Sequence, residues 1–254
     1  MTNAPKNAPA EMSFLEHLEE LRWRLIKCVI AVIVAAAVAY AYSDWFFAII
    51  WRPLQQASPG IKLHFFKVSE AFGTRLKLST LAGLLGALPI VIYQIWRFVL
   101  PGLYSKEIKI IYPIVFFSTI FFVVGVIFCY FFMMPWGLKF LLEQAPPNTE
   151  ATIMIGDYLN FFIWMVLSFG MVFQLPVVAY FLGKIGLLTS KFLASGRRYA
   201  IILIAIVAAI VTPQPDFISQ GMLFVPLYIL YEISILIVKL TGRNESWRNK
   251  NLAG

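Results

Sequence analysis

The sequence predicts an all-α membrane protein: six transmembrane helices forming a concave, cup-like wall, with helices five and six short and both termini in the cytoplasm. Three observations carry this. Hydrophobic residues fill 60% of 254 positions and charged residues only 13%, roughly half the charge of an ordinary soluble domain. The apolar residues come in long blocks rather than in the stripes of amphipathic surface helices, so the medium around them is lipid. The basic residues, finally, gather in connectors on one side of the predicted membrane.

Residues 1–12 are rich in Ala, Pro and Asn and too polar to fold alone, which makes them a flexible cytoplasmic tail. Ser13 and Glu16 form an S-x-x-E capping box that opens a single membrane domain, residues 13–240. Its first span is 25–42. About 24 mostly polar residues precede this block and no small-residue cleavage site follows, so it is expected to remain as a helix and not to be removed as a signal peptide. A polar stretch from Ser43 to Ser69 carries the turn formers Pro53, Pro59 and Gly60. Spans two, three and four follow at 72–96, 112–136 and 158–182. The next block, 199–211, is roughly 20 Å of helix against a hydrocarbon core of about 30 Å. The last, 217–240, is interrupted by Gln220 and Pro226, so segments five and six read as a shallow hairpin. Residues 241–254 form a second cytoplasmic tail. Pro89, Pro113, Pro176 and Pro226 fall within or beside spans, where a missing N–H bends a helix, and bent helices side by side make a concave wall.

Orientation follows from the charges. With the N-terminus inside, all of the 21 Lys and Arg residues face the cytoplasm except Arg52, Lys62, Lys67 and Lys139, with Arg75 and Lys77 at the outer border. This topological bias accounts for the net charge of +8 without nucleic acid, because the basic residues form no continuous face. Cys28 and Cys129 lie inside apolar blocks, where a thiol behaves as a small hydrophobe.

No nucleophile and base pair, HExxH, phosphate loop or Cys/His cluster is present, so neither an enzyme nor a cofactor is expected. The cytoplasmic acids stand out instead. The first helix begins His17-Leu-Glu19-Glu20-Leu-Arg22-Trp-Arg24, and the next two cytoplasmic loops hold one carboxylate, Glu107. Fixed carboxylates at a helix end are natural receptors for guanidinium groups. The same spacing also allows an internal i,i+4 pair of Glu20 with Arg24, worth only about 0.2–0.5 kcal/mol. Glu232, near the cytoplasmic end of the last helix, is read as reaching the headgroups.

A family resemblance rests on His17-Leu-Glu-Glu-Leu-Arg22, Glu70-Ala-Phe72, Tyr93-Gln-Ile-Trp-Arg-Phe98, Pro101-Gly-Leu-Tyr104 with Glu107, Phe173-Gln-Leu-Pro176, and Thr212-Pro-Gln-Pro-Asp216 with Ser219-Gln220. In order and spacing these motifs resemble TatC, the multispanning receptor subunit of the twin-arginine protein translocase, over residues 13 to 240. The resemblance implies export of folded proteins across the bacterial inner membrane, with this subunit reading signal peptides that carry consecutive arginines. It implies that Glu20 and Glu107 bind those arginines, with Arg22, Arg24, Phe98, Pro101 and Tyr104 shaping the surface and Glu19 as a weaker neighbour. It also implies docking of the single-span partners TatA and TatB near Asp216 and Gln220, an outer cap at Pro53, Glu70 and Phe72, and several copies per complex. Gln174 departs from the Glu common in the family; an amide there can hydrogen-bond within the chain or to a partner helix but carries no proton. Asp216 is equally suited to capping the last helix.

Two other classes compete. A small-solute secondary transporter would show an internal repeat with broken helices at the midplane. A purely structural membrane protein would tolerate loss of the cytoplasmic acids.

Overall fold

The computed structural model describes residues 14–99, 111–144, 146, 151–211 and 217–252. Helix α1 (Phe14–Ala41) is one uninterrupted run that packs on α3 and α4 along one side, while Ala39 alone of its described residues is fully buried. Directly after it comes α2 (Ser43–Ala57), in the stretch read as a polar loop. The polar residues there concealed an apolar face: Ile50 and Leu54 are buried, with Phe46 and Phe47 packed beside them, and α2 lies on α6.

Span two is two helices, α3 (Val68–Gly86) and α4 (Leu88–Val99), meeting at 59°. Pro89 stands in the first turn of α4, where it cannot extend α3 but fits the start of a new helix. Span three is α5 (Ile111–Phe128), a π-helical turn at Cys129–Met133 and α6 (Met134–Glu143), so it runs past the expected end at Trp136. Pro135, at the start of α6, supplies the reason for the π turn, since its ring excludes the regular bond to the carbonyl four residues back. Span four is α7 (Ile155–Val172) and α8 (Leu175–Lys184), interrupted beside Pro176. By contrast Pro113 sits harmlessly in the first turn of α5, and Pro226 lies within a continuous helix. Among the described residues the sharp bend is therefore at Pro89, whereas Pro176 marks an interruption within a span that otherwise runs on from Ile155 to Lys184.

A short helix α9 (Ser190–Ser195) leads to α10 (Arg197–Val211), 15 residues long and too short to cross unaided. Its partner α11 (Phe217–Leu252) is longer than expected: Gln220–Thr241 alone has the length and hydropathy of a span, and the helix continues through the segment assigned to a tail. Shortness within the membrane thus belongs to α10. The capping box at Ser13 lies outside the described residues.

Small residues set the closest helix approaches, as expected where lipid supplies no hydrophobic drive between helices. A Cβ on Gly83 of α3 would lie 2.5 Å from the Ala36 backbone of α1, and one on Gly125 of α5 would lie 2.7 Å from the Phe169 carbonyl of α7. On the outer side, two-residue strands β1 (Leu63–His64) and β2 (Ile153–Met154) pair in parallel and tie the start of α3 to the start of α7.

Candidate functional site

The first turns of α1 place His17, Glu20 and Arg24 on one face, at intervals of three and four residues. Glu19 and Arg22 point elsewhere and are exposed. Arg24 donates to Glu20 Oε1 through Nε at 3.0 Å and also through Nη2. The second oxygen, Oε2, is buried with no hydrogen-bond partner among the described residues. His17 Nδ1 lies 3.8 Å from it, beyond hydrogen-bond reach. The His17 ring stacks on Phe98 at the end of α4, with centroids 4.3 Å apart and planes 11° from parallel. Behind Phe98, Arg97 bonds the Tyr93 hydroxyl at 3.1 Å, and Tyr93 stacks on Tyr112 of α5.

The internal pair that spacing suggested therefore exists, but it engages only one carboxylate oxygen. Glu20 and Arg24 pair directly, and Phe98 stacks on the neighbouring His17. Glu107, Pro101 and Tyr104, and likewise Asp216, lie outside the described residues. His17 was missed as a site residue, although its i,i+3 spacing from Glu20 was legible.

Deeper in the membrane, Gln174 Nε2 donates to the Ser118 carbonyl at 3.0 Å, and Trp96 Nε1 donates to Ser118 Oγ at 2.9 Å. Ser118 is fully buried, so α4, α5 and the α7–α8 break meet at one polar point. Gln174 thus makes a contact within the chain. Gln220 does the same: its Nε2 donates to the Ala205 carbonyl at 2.9 Å, joining α11 to α10. Glu232 is not free to reach headgroups, because it accepts from Arg197 Nε at 2.8 Å and Nη2 at 3.0 Å, and from the Tyr228 hydroxyl at 3.0 Å.

At the outer end, Glu70 caps two helices. Its Oε2 accepts from the amides of Phe66 at 2.8 Å and Lys67 at 3.4 Å, and its Oε1 accepts from Gly156 at the start of α7 at 3.1 Å. The Phe66 amide, above all, together with those of Gly156 and Lys67, holds this carboxyl below its ordinary range against a smaller opposing desolvation effect. Pro53 is buried in α2; the carbonyl its missing N–H would leave open, that of Ile49, accepts from Tyr130 at 2.8 Å, and the next, Ile50, accepts from Tyr158 at 2.5 Å. Phe72 is exposed near the start of α3.

Fold and rim together define a multi-pass membrane helix bundle with a carboxylate-bearing cytoplasmic face, braced outside by a helix-capping network. The family described as TatC, Sec-independent protein translocase protein, matches residues 16–226. Relatives of that description include proteins of Carboxydothermus hydrogenoformans, 41% identical over 92% of this chain and 96% of the relative, and Desulforapulum autotrophicum, 42% identical over 91% and 86%. A crystal structure of the twin arginine translocase receptor TatC superposes with a TM-score of 0.76 at 36% identity, covering 89% of this chain and 99% of the other. A second, in detergent, gives 0.78 at 35% identity. The chain belongs to the TatC family.

Proposed function

We propose that this chain is the receptor and scaffold of a twin-arginine translocase in the bacterial inner membrane, that Glu20 and Glu107 bind the signal's arginines, and that the α10–α11 side receives the single-span partners TatA and TatB. The observation that carries the receptor role is Glu20: a half-buried carboxylate fixed on a helix end, with one oxygen unsatisfied. An unsatisfied buried acceptor disfavours the empty state and favours any ligand that brings a donor. Partner docking rests on the exposed apolar side of α10, where Ile202, Leu203, Ile206 and Ile210 face outward. Gln220 supports that surface by holding α10 and α11 together, while Asp216 and Gln174 contribute at its outer connector and at the α7–α8 break. Pro53, Glu70 and Phe72 belong to the outer cap, which braces α2 and α3 against the π turn and α7.

The test is charge reversal. Glu20→Lys and Glu107→Lys are each expected to abolish photocrosslinking of a twin-arginine signal peptide and to stop export of a folded reporter, while crosslinks from α10 to TatA and TatB persist. Normal export by both variants overturns the assignment.

A further inference from the structure

The connector from α8 to α10 is fixed along its length. Gly186, at φ +79°, closes α8 by letting the amides of Leu187 and Leu188 both reach the Leu182 carbonyl, at 3.0 and 3.1 Å. Thr189 caps α9 by accepting from the Phe192 amide at 3.2 Å. The Tyr231 hydroxyl of α11 donates to the Leu193 carbonyl at 2.6 Å, which ties this short helix to the bundle. Its outer side shows Lys191, Phe192 and Ser195. Phe192 is 68% exposed and Leu187 66%, and Tyr199 in the first turn of α10 is exposed as well. The cations divide in the same way. Arg197 turns inward to Glu232, whereas no carboxylate among the described residues lies within ion-pair distance of Lys184, Lys191 or Arg198. Arg198 lies over the Tyr199 ring, 4.8 Å from its centroid, and Lys184 over that of Tyr180 at 6.0 Å.

We propose that α9 and its flanks form an interfacial anchor that recruits anionic phospholipid of the cytoplasmic leaflet, with Phe192 and Leu187 at the acyl boundary and Lys191, Arg198 and Lys184 on headgroup phosphates. The chain leaves the membrane at the end of α8 and re-enters at the start of α10, so α9 lies where headgroups begin. In bulk water its large apolar side chains gain nothing, and in hydrocarbon its lysine is costly; only the boundary suits both. Cations with no carboxylate partner then favour an anionic headgroup over a zwitterionic one. Arg197 is not among them, because its fork is already spent on Glu232. Arg198 differs: a guanidinium laid on an aromatic face keeps its N–H edge open to a phosphate. Because the caps and Tyr231 fix the backbone beforehand, little ordering of the chain is left for the lipid to impose.

The experiment places a benzophenone amino acid at position 192 of the full chain, in nanodiscs of phosphatidylcholine with about 30% phosphatidylglycerol, and counts photoadducts of each lipid. Normalised to mole fraction, adducts are expected to favour phosphatidylglycerol by about fivefold or more, and the double variant Lys191→Gln/Arg198→Gln should bring that ratio close to one. Lys139→Gln, on the outer side, should leave it unchanged. Absence of lipid adducts places Phe192 in water or against protein and overturns the proposal. Equal adducts of both lipids in the unaltered chain show immersion without headgroup choice and overturn it too. So does a ratio that survives the double variant, or one that falls as far with Lys139→Gln, since net charge alone would then set it. If the double variant does not fold, salt decides on the unaltered chain: raising it from about 50 to about 500 mM should at least halve the ratio, and an unmoved ratio overturns the proposal.

Discussion

Glu70 closes two helix starts with one carboxylate, and its chemistry gives that closure a pH dependence. Amide donors from Phe66, Gly156 and Lys67 stabilise the ionised form, so the folded-state pKa lies below the ordinary value. A depressed carboxylate contributes stability that is fully present above its unfolded pKa and is lost as pH falls through the folded one. Below that point the protonated group resembles glutamine. Glu70→Gln should therefore melt earlier than the unaltered chain at neutral pH, and the gap should close as pH drops from the usual carboxylate range to the lower folded value. Thermal unfolding in detergent from pH 7 to pH 3 measures this. A gap that is constant across the range means the carboxylate's charge contributes nothing. The same logic distinguishes Glu70 from Glu20: one carboxylate is saturated with fixed donors, whereas the other keeps an open oxygen, as the proposed receptor role requires.

At the scale of elements, α2 shows how a helix tolerates a buried proline. Pro53 deletes the donor for the Ile49 carbonyl, and the hydroxyls of Tyr130 and Tyr158 arrive from the π turn and from α7 to bond Ile49 and its neighbour Ile50. Tyr158 is the more buried, so Tyr158→Phe should destabilise by about 1–3 kcal/mol and Tyr130→Phe by less. Pro53→Ala restores an N–H that can reach Ile49, so it should reduce the penalty of Tyr130→Phe but not that of Tyr158→Phe. Additive penalties in this double-mutant cycle contradict the account. None of this was legible beforehand. The blocks, their order and their orientation were, because lipid imposes length and charge rules that act on one segment at a time. The helix at 43–57 escaped because its apolar face is split by Asp44, Arg52 and Gln55, and its partners Tyr130 and Tyr158 are some eighty and a hundred residues away in the chain. The Glu20 site was half legible for a similar reason: i,i+4 spacing gave Arg24, but the stack of His17 on Phe98 depends on where α4 ends.

Across the whole molecule the two ends are held differently. The outer end is stapled by Glu70, the β1–β2 pair, Arg75 with Asp44 at 2.6 Å and Lys77 with Asn160 at 2.9 Å. The short α10 is pinned instead at its first residue, by Arg197 on Glu232, and midway, by Gln220 on the Ala205 carbonyl. Its 15 residues make about 22 Å of helix, short of the hydrocarbon core by roughly 8 Å. A longer helix relieves mismatch by tilting, but a short pinned one leaves the bilayer to thin around it or draws polar ends into hydrocarbon. Thicker bilayers should therefore strain this side first. In nanodiscs of increasing acyl length, amide exchange should rise in α10 before it rises in α5 or α7. Glu232→Gln removes a solvent-screened pair on a half-exposed surface, so global melting should barely move. It should nonetheless shift the onset of α10 exchange to thinner bilayers, because the helix loses its cytoplasmic anchor. Exchange that rises together in all three helices, or an onset untouched by Glu232→Gln, shows that α10 is not the thin side of the wall.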